Sequence, residues 1–156
     1  MGRYIDEILQ PDEKVLFTTR IHWIVYWPAI VAWIAAIGLF ALVRGPAEGM
    51  TIVWLALSGI CALIALYWTF RAWFRRWTSE TDVTSMRVVH KEGFIQRETF
   101  EMNLDRVESV DVSQSIGGRL MGYGDVTIVG VGDSERTIQM IGSPIQFRNH
   151  ITARPA

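Results

Sequence analysis

Few residues of this chain combine the types and spacing that chemistry requires. Asp105, Glu108 and Asp111 recur every three positions, an interval that on a helix would gather carboxylates around a hard cation. The apolar alternation around them, with Val110 and Val112 two apart, predicts turn and strand instead, which scatters the three over the surface. His22, His90 and His150 lie far apart and form no His-x-x-x-His pair, so zinc-ligand spacing is missing. Cys61 is the single cysteine, which excludes a disulfide framework or a cysteine-based zinc site. It falls inside an apolar run, where burial raises a thiol's pKa and leaves it inert. The stretch Gly118-Arg119-Leu120-Met121-Gly122-Tyr123-Gly124 is tempting as a phosphate loop, but it lacks the Gly-Lys-Ser/Thr ending and leads into a strand rather than a helix. Its glycines are expected to serve backbone geometry, by positive φ and close strand approach. Gly118, Arg119, Gly122, Tyr123 and Gly124 therefore stand as a candidate structural or interaction loop, with Arg119 and Tyr123 its contact surface. No nucleophile–base pair and no paired carboxylates emerge. The expectation is a non-enzyme with no cofactor, no metal and no small-molecule substrate.

The elements that carry these residues are distributed unevenly. The chain has 156 residues, a net charge of −1 and 50% hydrophobic residues. Of its Lys, Arg, Asp and Glu residues only Arg44 and Glu48 fall between residues 21 and 70, and all seven tryptophans lie between Trp23 and Trp77. A basic nucleic-acid binder and a disordered chain are both excluded. Residues 24–43 and 50–70 are uncharged runs of twenty and twenty-one positions. A bilayer core of ~30 Å needs about 20 apolar residues at ~1.5 Å each. The breaker-rich turn Arg44–Gly49 predicts a tight antiparallel hairpin that leaves both chain ends on one side. Lys14 and Arg20 precede it, and Arg71, Arg75 and Arg76 follow, so the positive-inside bias puts both termini in the cytoplasm. Trp23 and Trp27 at the entry, and Trp68, Trp73 and Trp77 at the exit, fit an interfacial belt on that face. A cleaved signal peptide is disfavoured by the length of the run and the lack of a cleavage site. Soluble core helices are disfavoured by the missing polar face. Small residues (Ala29, Ala32, Ala35, Ala36 and Gly38; Ala56, Ser58, Gly59, Ala62 and Ala65) are expected to pack the two helices together, with packing between protomers as the alternative. No Asp, Glu, Lys, Arg or His lies within either run, which argues against a transporter or pump.

After residue 77 the period changes to two. Strands are expected at 87–91, 94–102, 107–112, 125–129 and 136–141, with one more near 77–83, separated by glycine-bearing turns. Ser143, Pro144 and Gln146 read as a helix start with a capping box, and Phe147 and Ile151 as the buried stripe of a short closing helix. The predicted organisation is an N-terminal cytoplasmic segment (1–22), a two-helix transmembrane hairpin (23–71) and a small all-β domain (72–156).

Several stretches resemble the bacterial pleckstrin-homology-domain membrane proteins: Tyr4-Ile5-Asp6-Glu7, Pro11-Asp12-Glu13-Lys14-Val15-Leu16, Val83-Thr84-Ser85-Met86-Arg87-Val88-Val89, Gly93-Phe94-Ile95, Asn103 to Val110, and Gly118 to Val126. The resemblance implies a bent seven-stranded pleckstrin-homology-like sandwich or barrel with a C-terminal helix, beside the hairpin. Only 14 residues follow Gly142, so that helix is expected to be short. The resemblance also raises a phosphoinositide site, which in eukaryotic relatives uses a basic cluster in the first strand–loop–strand unit. The early turn Thr84-Ser85-Met86-Arg87 has a single cation and speaks against one.

Together these readings predict a membrane-anchored interaction or scaffold module at the cytoplasmic face of a bacterial inner membrane. Its expected partners are the bilayer and either further copies of itself or another membrane protein. One alternative is an anionic-lipid-responsive module, with Arg71, Arg75 and Arg76 contacting headgroups at ~1 kcal/mol per cation. The other is an accessory subunit or small oligomeric pore.

Overall fold

The computed structural model describes residues 4–43, 49–93, 98–132 and 134–153. It resolves into two units, residues 1–22 with 75–156, and residues 23–74. The 44–48 turn, residues 94–97 of the expected third strand and Asp133 lie outside the described residues.

The apolar unit begins with a 3-10 turn at Trp23–Tyr26 and continues as α2, Trp27–Leu42, with Pro28 in its first turn, where the missing N–H costs nothing. The second helix, α3, runs Thr51–Thr78. It continues two turns beyond the apolar run because helix propagation follows backbone hydrogen bonding, and no Gly or Pro interrupts it after Gly59. The 3-10 turn with α2 (Trp23–Leu42) and α3 are each long and apolar enough to cross a bilayer. Their buried positions are small and spaced by seven: Ala29 and Ala36 on α2, Ser58, Ala65 and Ala72 on α3. That period keeps one face of each helix turned to the other. Ser58 Oγ donates to the Ala36 carbonyl at 3.1 Å, and Trp33 Nε1 to Thr69 Oγ1 at 3.2 Å. Large apolar side chains face outward around this seam.

Among the described residues, the other unit contains seven antiparallel strands in two sheets. The first strand lies ahead of the helices: α1 is Tyr4–Ile8 and β1 is Val15–Thr19. Beyond α3 follow β2 (Glu80–Thr84), β3 (Arg87–Glu92), β4 (Glu98–Asn103) and β5 (Val107–Ser113). Then come α4 (Ile116–Met121), β6 (Tyr123–Gly130), β7 (Ser134–Gly142) and α5 (Pro144–Thr152). Strand order is β1-β2-β3-β4 in one sheet and β5-β6-β7 in the other. Residues 20–22 cross from the first sheet to the second. Gly142 N donates to the Arg20 carbonyl, Ile21 bridges Ile141, and His22 N donates to the Met140 carbonyl at 2.7 Å. The core between the sheets holds Val83, Val88, Met102, Val110, Val126, Ile128, Ile138 and Ile141, closed by Phe147 and Ile151 of α5. On β6 the alternation is complete, with Val126 and Ile128 buried and Thr127 and Val129 half-exposed.

Three expectations need correction. The segment at 77–83 is a strand only from Glu80, since Trp77 and Thr78 remain in α3. The seventh strand comes from the N-terminal segment, where Val15 to Thr19 pair with Thr84 to Thr81. The entire apolar unit is thus inserted in the β1–β2 connection. Ser143 does precede α5 with Pro144 in the first turn, but it adopts the left-handed conformation (φ 53°) and makes no side-chain cap. A capping Ser or Thr normally holds extended backbone. Here Ser143 N instead donates to the Gly122 carbonyl at 2.9 Å.

Candidate functional site

The first strand–loop–strand unit is β1, the helical hairpin and β2, so the Thr84–Arg87 segment is the β2–β3 turn rather than the first loop. Its one cation is committed within the protein. Arg87 Nε and Nη2 each donate to Glu13 at 3.0 Å, Nη2 also donates to the Ile8 carbonyl at 2.8 Å, and Nη1 donates to Glu101 at 2.9 Å. Glu13, with no exposed side-chain surface, accepts further bonds from Thr84 Oγ1 at 2.6 Å and from Gln10 N at 2.9 Å. Burial pushes the Glu13 carboxyl up, but the bonds from Thr84, Gln10 and Arg87 and the charge of Arg87 outweigh it and hold it below the ordinary carboxylate range. The bond from Glu13 correspondingly raises Arg87. Lys14 and Ser85 add a reciprocal pair of bonds beside this network. Sequence reasoning missed it, although Glu13 and Arg87 both lie in stretches that carry the family resemblance.

The arginines that follow the apolar run do not act alike. Arg71 is exposed and lies over the Trp68 ring at 5.5 Å, a cation–π arrangement. Arg75 turns to Glu92 at 3.4 Å. Arg76 is exposed. Arg75 and Glu92 border a cleft of about 240 Å³ with His90, Ile21 and residues Thr137 to Gln139 of β7. Its polar groups serve one another: buried His90 shares a 2.7 Å hydrogen bond with Thr81 through Nδ1, and its Nε2 lies 3.8 Å from Glu92. The bond from His90, then the charge of Arg75, hold Glu92 below the ordinary carboxylate range against its burial. The arrangement is a polar seam between the sheets.

Gly118 to Gly124 is not a loop throughout. Residues Ile116–Met121 form α4, capped by Ser115, whose Oγ accepts from Gly118 N at 3.0 Å, and closed by Gly122 at φ 76°. Two glycines do not close a one-turn helix to formation when a cap and a tertiary contact fix its ends. Gly118 is buried against β6, where a Cβ would sit 2.7 Å from the Tyr123 carbonyl oxygen. At Gly124 a Cβ would meet Gln114 Cγ at 2.6 Å and the Ser113 carbonyl oxygen at 2.8 Å. At Gly117 the nearest atom is 3.8 Å away. Gly118→Ala and Gly124→Ala should therefore each cost about 1–3 kcal/mol by overpacking, whereas Gly117→Ala should be neutral or stabilising by up to about 1 kcal/mol. Thermal unfolding of the three variants in mild detergent, followed by circular dichroism, checks that order. Tyr123 stacks on His22 with ring centroids 5.2 Å apart. Burial, then the charge of Arg76, keep that imidazole below its ordinary value. Arg119 is exposed.

The remaining candidates stay apart. Asp105, Glu108 and Asp111 are exposed, on a 3-10 turn and on β5. His150 stacks on Phe17 at 4.7 Å, far in sequence from His22 and His90. Cys61 is half-buried in α3. Among the described residues no group of three or more His, Cys, Asp or Glu side chains gathers in a form that could hold a metal.

No curated protein and no solved structure matches the chain. The sequence model of the bacterial PH domain matches residues 25–154, from the first apolar helix through α5. The match takes in both helices with the strands from β2 onward, and with the two-sheet fold and its closing helix it shows that this chain belongs to the bacterial PH domain family.

Proposed function

We propose that this protein is a non-enzymatic interaction module anchored in the inner membrane of a bacterial cell. The hairpin crosses the bilayer twice, both termini are cytoplasmic, and the β unit is presented to protein partners or to further copies of the chain. One observation carries this: the apolar unit occupies the β1–β2 connection, and the strands it joins are paired, Thr19 opposite Thr81. Both ends of the hairpin are thereby joined to neighbouring strands of one β ladder, so the chain tethers the β unit at two points. Confinement to a surface raises the effective concentration of modules for one another. Native mass spectrometry of the full-length protein, extracted in mild detergent, is the test. One defined homo-oligomer, or a co-purified membrane protein, is the expected result. A bare monomer across a wide concentration range overturns self-association.

The exposure of Arg71 and Arg76 favours an anionic-lipid-responsive module as the second reading, with Arg75 set aside by its pairing to Glu92. A monomer that retains one selective phospholipid in the same measurement would establish it in place of the scaffold.

A further inference from the structure

The outer face of α4 is apolar and unusually bare. Ile116 is 90% exposed and Leu120, one turn on, 87%. Met121 and, at the start of α5, Ile145 are exposed as well. The backbone bond from Ser143 N to the Gly122 carbonyl brings the two helix ends together. Folding fixes this apolar face in place: Ser115 caps α4, Gly118 is pressed on Tyr123, and Gln114 Nε2 donates to the Tyr123 carbonyl at 2.9 Å. Exposed apolar side chains on a rigid element mark a contact surface rather than a folding defect.

Charge and position select the occupant. Neither 114–124 nor 143–153 contains an Asp or Glu, while Arg119 and Arg148 are both exposed. An apolar face on segments that themselves carry cations and no carboxylate has the composition of an element that lies in the interface of an anionic bilayer. The patch also sits at the end of the β unit where the chain leaves for the apolar helices. Tyr123, which follows α4 across Gly122, stacks on His22, and the next residue is Trp23. We infer that α4 is a third membrane contact: Ile116 and Leu120 enter the headgroup–acyl boundary, Arg119 pairs with lipid phosphate, and the β unit rests on the bilayer. This rests on the membrane-anchored reading above.

The experiment uses full-length protein carrying Cys61→Ala and one new cysteine per variant: Leu120→Cys or Ile116→Cys on α4, Ile60→Cys in α3, and Glu135→Cys near the start of β7. Both α4 positions are almost fully exposed, so neither substitution disturbs packing, and each checks the other. Each thiol carries an environment-sensitive fluorophore in vesicles of phosphatidylethanolamine and phosphatidylglycerol. Quenching is read with aqueous iodide and with lipids bearing a nitroxide near the headgroup or deep in the chain. The expected result is quenching of both α4 probes by the shallow nitroxide, of the α3 probe by the deep one, and of the Glu135 probe by iodide alone. If the α4 probes follow the Glu135 probe while the α3 probe stays shielded, the contact is wrong and the anchor stands. If the α4 probes are shielded from iodide and from both lipid quenchers, protein covers them and the contact is equally overturned. Iodide quenching at the α3 position removes the anchor itself.

Discussion

Glu13→Ala should loosen β1 from its sheet and destabilise the β unit by about 3–5 kcal/mol, the cost of removing one partner from a buried, hydrogen-bonded ion pair. The Glu13 side chain has no exposed surface and that of Arg87 only 13%. The carboxylate takes four bonds from Thr84, Gln10 and the two Arg87 nitrogens. Without it the guanidinium keeps the Ile8 carbonyl and Glu101 but loses its buried counter-ion. Glu101, 37% exposed in its side chain, is the control, since Glu101→Ala should cost no more than about 1 kcal/mol as a partly solvated pair. Circular dichroism melts and hydrogen exchange in β1 and β2 distinguish the two. Equal effects would show that Glu13 is no more than a surface charge. The pH dependence has a definite sign. Glu13 is held below its ordinary value of about 4.5, so its contribution is complete above that value and is lost as pH falls through the lower folded one. The gap between native protein and Glu13→Gln should therefore narrow on acidification below about 4.5. Constant separation would mean that the carboxylate gains nothing from its partners.

That network explains why parts of the molecule were legible in the sequence and others were not. The apolar helices announce themselves by an absence of charge, and β6 by strict alternation of Val126 and Ile128 with polar or half-exposed neighbours. Both are local signals. β1 has no such signal: five residues between two turns mean little until Thr81 to Thr84, more than sixty positions away, pair with them. Arg87 reads as the lone cation of a short turn because its counter-ion lies across the same gap. At Arg71 to Thr78 hydropathy and helix part company, since polarity ends a bilayer span but not a hydrogen-bonded ladder. The glycines of α4 point to a loop, and only the Ser115 cap and the contact of Gly118 with Tyr123 make a helix there. Ser143 has the residue type of a cap, yet its backbone is taken by the turn to Gly122. The misses at β1, Arg87 and Ser143 share one cause, a local preference overridden by a partner distant in sequence.

Arginine in the middle of either apolar helix gives the largest effect and the sharpest sign. Ile34 and Ile60 lie close to the midpoints of the two uncharged runs, and are 65% and 56% exposed. Neither belongs to the small-residue seam of Ala29, Ala36, Ser58, Ala65 and Ala72, so Ile34→Arg and Ile60→Arg leave the packing of α2 on α3 intact. In a chain dissolved in water, a solvated arginine replacing an exposed isoleucine changes stability by no more than about 0.5 kcal/mol and improves solubility. In a bilayer the same change puts a cation into hydrocarbon at about 2.5–3.5 kcal/mol, enough to shift insertion of a helix about 100-fold. The expected outcome is loss of the variant from the washed membrane fraction, with degradation or aggregation of what remains. The double variant should be worse than either single one. Ile34→Leu and Ile60→Leu, which keep the apolar surface, should stay with the membrane. Arginine variants that accumulate as soluble, folded protein would instead show that water or another protein surface covers these helices. The proposed anchor would then be replaced by an apolar docking face carried in the β1–β2 connection.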